Sequence, residues 1–135
     1  MRLLLLSALF LTIAATTSAQ TRYTAAVDSL DIRYQQCMAK GQDMYSCAIE
    51  YYQQLDSMLQ AVYEELYERL GADRQTVLKT DQDAWIQQRD RYFKTIDTKA
   101  AKSLFGLDDQ TIAADNKAAY IKDRVVALLK EAELN

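Results

Sequence analysis

The sequence predicts an all-α fold: a small antiparallel bundle of about four helices after a secretory leader, with a long central helical hairpin. Three observations predict it. The 135 residues include no proline and only three glycines, so little interrupts helical backbone. Apolar residues make up 50% of the chain and recur at alternating steps of four and three, the spacing of one helical face. That periodicity breaks at Gly41, Gly71 and Gly106, as expected of helix stops.

The leader comes first. Arg2 is followed by an apolar run from Leu3 to Ala15, then by the small residues Thr17-Ser18-Ala19. This is the plan of a signal peptide cut after Ala19. The run is short for a membrane span, which needs about 20 residues. No cysteine follows it, so a lipid anchor is not expected. Residues 1–19 are therefore read as leader and 20–135 as one helical domain, exported to the periplasm or secreted, with no membrane partner once the leader is gone.

The first mature helix is predicted from about Thr24 to Met38, on the stripe Tyr23, Val27, Leu30, Tyr34 and Cys37. Asp43 is the expected N-cap of the second helix, with Ser46 three residues on. Its stripe is Met44, Ala48, Tyr51, Leu55, Leu59, Val62, Leu66 and Leu70, ending at Gly71. Asp73 is expected to cap a third helix from Arg74 to about Thr95. The link between them is so short that the second and third helices must lie antiparallel. Residues 95–107 read as a frayed end plus a loop. Asp108 or Asp109 should cap the last helix, with Ile112, Ala119, Ile121, Val125, Leu128 and Leu129 as its apolar positions.

In an exported chain, Cys37 and Cys47 are expected to form a disulfide worth about 2–3 kcal/mol. There is no histidine, which excludes a Cys/His zinc site and a Cys–His catalytic pair. Without Arg2, 15 basic residues face 19 acidic ones, a net charge of −4. That argues against a nucleic-acid partner and fits a basic protein partner. The serines have no histidine to activate them, and no carboxylate pair is marked as a glycosidase pair would be. No enzyme, metal or cofactor is expected.

The most informative stretch is Thr80 to Asp90. Leu78, Gln82, Trp85, Arg89 and Tyr92 share one helical face. An amide and a guanidinium thus sit on the stripe of the only tryptophan. Burying such an amide without a partner costs roughly 2–7 kcal/mol, and an unpaired charge costs more. Arg89 is expected to stack on Trp85 and to pair with Asp56 on the neighbouring helix. Trp85, Arg89 and Asp90 read as an interlocking cluster in preference to a binding site. The tyrosines read as core rim. Asp81 and Asp83, two residues apart, point in different directions.

Four matches resemble the LprI-like lysozyme-inhibitor family of small exported bacterial proteins. They are the pair Cys37 and Cys47 followed by Ala48; Leu55-Asp56-x-x-Leu59-x-x-x-Tyr63-x-x-Leu66; Gln82-x-Ala84-Trp85-x-x-x-Arg89-Asp90; and Arg124-x-x-x-Leu128. Together they cover about residues 37–128. Where members often carry a second cysteine pair, this chain has Phe93 and a residue near Asn116. The resemblance implies an exported helical protein that binds and inhibits a lysozyme-type muramidase, through the 95–107 loop or the acid-rich end of the second helix. The alternative is a structural or protein-interaction module of the cell envelope with no effect on lysozyme. The oligomeric state is not indicated.

Overall fold

The computed structural model describes the backbone of residues 14–133 and the side chains of residues 20–133. Four helices follow one another: α1 (Ala14–Met38), α2 (Met44–Arg69), α3 (Ala72–Ala101) and α4 (Leu107–Glu133). Most of the expected leader lies outside the described residues. Residues 14–19 form the start of α1, so that helix begins well before Thr24 and runs unbroken past Ala19. Nothing between Ala14 and Met38 is a proline or a glycine.

Cross-helix partners fix the directions. Arg33 meets Gln54 and Arg22 meets Glu65, so α1 and α2 are antiparallel. Gln75 donates to the Tyr67 carbonyl at 2.9 Å and Tyr52 meets Phe93 edge-on at 6.0 Å, so α2 and α3 form the expected hairpin. Lys117 pairs with Asp97 and Arg124 with Gln82, so α4 runs back along α3. Helices α2 and α4 are therefore parallel to each other.

That parallel pair makes the most extensive contact, while α1 and α3 lie beside it and do not touch each other. Small residues explain the close approach: Ala48 and Ala118 are 0% exposed and Ala114 only 2%. Leu55, Leu59, Val62 and Leu66 of α2 meet Ile121, Val125, Leu128 and Leu129 of α4 in one core, joined by Val27 and Leu30 of α1 and Leu78 of α3. A fully buried leucine or isoleucine contributes roughly 1.5–3 kcal/mol. Helix α3 is set further out. The rings of Tyr52, Tyr63, Tyr67, Trp85 and Phe93 pack against the core and hold its backbone away from α2.

Several helix ends differ from expectation. Asp43 is the N-cap of α2 as expected, but its backbone is left-handed (φ 54°) and its carboxylate accepts from the Ser46 hydroxyl (2.7 Å) instead of a backbone N–H. Gly71, not Asp73, is the N-cap of α3; Asp73 lies in the first turn, where the helix dipole still favours an acid. Asp108 and Asp109 likewise lie within the first turn of α4. At Gly106 the backbone is left-handed (φ 60°), which a side chain disfavours.

The expected loop over 95–107 is largely helix, since α3 continues to Ala101. Phe93, Ile96 and Ala100 extend the buried stripe beyond Arg89, with Ile96 buried. Two positions assigned to the last stripe face solvent: Ile112 is 56% exposed and Ala119 is exposed, while their neighbours Ala113 and Ala118 are buried. Met44 also lies at the surface.

Candidate functional site

The Gln82–Trp85–Arg89 face of α3 is where polar and aromatic groups converge, and α4 completes it. Gln82 is buried. Its side-chain oxygen accepts from Nε of Arg124 at 2.9 Å. Nη2 of the same guanidinium donates to Asp81 at 2.6 Å. The Arg124 side chain is only 10% exposed. The buried amide on the tryptophan stripe thus finds its partner on α4.

The indole of Trp85 gathers three groups. Arg89 lies over it at 5.5 Å and Arg124 at 5.6 Å. The ring of Tyr120 stacks on it at 5.6 Å with planes 24° apart. Tyr120 also meets Tyr92 at 4.9 Å and Phe93 at 6.0 Å, and Lys117 lies over Phe93. The result is a continuous aromatic and cationic seam between α3 and α4.

The expected pair of Arg89 with Asp56 does not form. Nε and Nη2 of Arg89 donate to the adjacent Asp90 at 3.0 and 2.8 Å, while Asp56 is exposed on α2. The width of the α2–α3 space is the reason. Tyr52, four residues before Asp56 on α2, feels the charge of both. Burial, first of all, raises the pKa of the Tyr52 hydroxyl, with Asp56 adding to it. Tyr63 borders the cluster from α2, tilted against Tyr67 at 6.0 Å, and burial raises its pKa too. So Gln82, Trp85, Arg89, Asp90 and Arg124 come together, Tyr63 flanks them, and Asp56 stands apart.

Asp81 and Asp83 do diverge: Asp81 goes to Arg124, and Asp83 takes Lys79 at 2.6 Å. Tyr120 and Asp81 are the members that sequence reasoning missed. Tyr120 and Arg124 repeat, four residues apart, the aromatic–arginine spacing of Trp85 and Arg89. That repeat was the available signal.

A second polar network ties α1 to its neighbours. Tyr51 of α2 donates to Asp31 at 2.5 Å, and Lys122 of α4 reaches the other oxygen of the same carboxylate. Tyr34 donates to Asp115 and stacks on Tyr51 at 4.4 Å. Beyond this network the expected disulfide between Cys37 and Cys47, with Cα atoms 5.9 Å apart, joins the end of α1 to the start of α2.

Chemically this is a set of interlocks. Its carboxylates face arginine, lysine or tyrosine. Among the described residues no three acids or cysteines gather as metal ligands would, and no buried side-chain nitrogen or oxygen lacks a partner.

A family model described as the lysozyme inhibitor LprI matches residues 37–128. The chain belongs to the LprI family. No curated protein and no solved structure matches it. The LprI match begins at Cys37 and ends at Leu128, so it takes in the disulfide, the whole α3–α4 seam and all of the α2–α4 core but Leu129. Most of α1 precedes it. In this LprI-family chain the matched Trp85, Gln82 and Arg124 join α3 to α4, whereas the contacts of Arg89 with Trp85 and Asp90 stay within α3. No helix among the described residues is long and apolar enough to cross a membrane.

Proposed function

We propose that this protein is exported and that it binds and inhibits a lysozyme-type muramidase. The LprI match over residues 37–128 carries this reading. Charge supports it. Glu64 and Glu68 are exposed near the end of α2, and Asp73 is exposed at the start of α3. These acids share one end of the bundle. A cationic muramidase would be drawn to that end, and the attraction would weaken as salt screens it. Of the two surfaces named from sequence, the acid-rich end of α2 is the better fit, because the far end of α3 carries cations.

A lytic assay on bacterial cell walls tests the proposal. Purified protein at micromolar concentration should slow lysozyme at low salt, less so at high salt. Replacing Glu64 and Glu68 by Lys should weaken inhibition while helicity is unchanged. An undiminished lytic rate at low salt rejects the reading and leaves an envelope interaction module.

A further inference from the structure

The corner between α3 and α4 is unlike the rest of the surface. Leu104 is 97% exposed, Phe105 77% and Leu107 63%. Single exposed apolar residues are ordinary, but three large ones within four positions at a projecting tip are not. The tip is a built feature. The Ser103 hydroxyl bonds to Asp109 and also accepts the Phe105 N–H at 3.1 Å, and Gly106 supplies the left-handed turn into α4.

Cations lead up to it. From residue 91 to residue 102 the chain carries Arg91, Lys94, Lys99 and Lys102 against one acid, Asp97. Lys117 pairs with Asp97 at 2.5 Å, and none of the four cations forms an ion pair among the described residues. All four are exposed. Arg91, Lys94 and Lys102 fall on one helical stripe, opposite the buried Ile96 and the partly buried Phe93 and Ala100. Of the acids beside the tip, Asp109 is tied to Ser103, and Asp108 is exposed.

We propose that this corner docks on an anionic lipid bilayer, with Leu104 and Phe105 entering the headgroup region and the α3 cations meeting lipid phosphates. Apolar side chains flanked by unpaired lysine and arginine are what an anionic interface takes up. The binding is peripheral and needs no spanning helix. It amends the expectation of no membrane partner after leader removal. The acid-rich end of α2 lies at the opposite end of the bundle and faces away from the lipid.

Co-sedimentation with lipid vesicles tests this, using the chain without residues 1–19, which retains every core residue among those the structure describes. It should sediment with phosphatidylglycerol vesicles at low salt, be released at high salt, and stay in solution with phosphatidylcholine alone. Lys99→Glu with Lys102→Glu should cut the partition more than tenfold, at about fivefold per cation near the surface. Phe105→Ser should cut it about tenfold through lost apolar burial. Both changes are at exposed positions, and unchanged far-UV helicity will show that the fold survives. Wild-type protein that stays in solution with phosphatidylglycerol overturns the proposal. So does full retention by the Phe105→Ser variant, since charge alone would then explain the binding. The lysozyme assay reads the other end of the molecule, so either result stands without the other.

Discussion

Arg124 and Arg89 carry the same charge over the same indole but bear different weight. The Arg124 side chain is 10% exposed and satisfies the buried oxygen of Gln82, whereas Arg89 is 26% exposed and pairs with its own neighbour, Asp90. Arg124→Ala leaves that oxygen without a partner and removes a cation–π contact. It should lower stability by about 2–3 kcal/mol in urea unfolding. Arg89→Ala gives up an exposed pair and one cation–π contact, so it should cost about 1 kcal/mol or less. Equal losses would show that Gln82 finds another partner. The sequence made the need for a partner plain, because an amide and a guanidinium share the stripe of Trp85. It favoured Arg89 and Asp56 because adjacent helices were assumed to be the close ones.

Helix existence and direction were legible from periodicity, and the α2 stripe from Ala48 to Leu66 is buried nearly as read. What periodicity could not show is which pair of helices packs closest. Alanine is small enough to sit at a tight crossing or to be ignored at the surface, and Ala118 and Ala119 look alike in sequence. The structure separates them. Ala118→Leu should force α2 and α4 apart and cost about 1–3 kcal/mol, while Ala119→Leu should leave the unfolding midpoint nearly unchanged. Similar effects for both would move the close approach away from Ala118. The end of α3 was misread for a related reason: Ile96 and Ala100 continue the stripe, but the lysines around them made the segment look like loop.

For the whole molecule, tyrosines set the response to pH. Burial, and then donation to Asp115 and Asp31, holds the Tyr34 and Tyr51 hydroxyls well above their ordinary pKa. A raised folded-state pKa gives stability that is complete below the unfolded value of about 10 and is lost as pH rises beyond it. With no histidine present, no side chain at its ordinary pKa titrates between about pH 5 and 8. The urea midpoint should therefore hold through neutral pH and fall above about pH 10. Tyr34→Phe with Tyr51→Phe should flatten that fall. A double variant with the same alkaline slope would assign it to other groups.

By itself the sequence determined the helical class, the four segments, the disulfide and the family. Each depends on local spacing or on residue type, which a linear pattern records. Only the tertiary structure decided that α2 and α4 form the close pair, that Arg124 serves Gln82, and that Leu104 and Phe105 project beside unpaired cations. Those outcomes depend on the distance between helices. That distance is set by alanines at one crossing and by aromatic rings at another, acting between residues far apart in the chain.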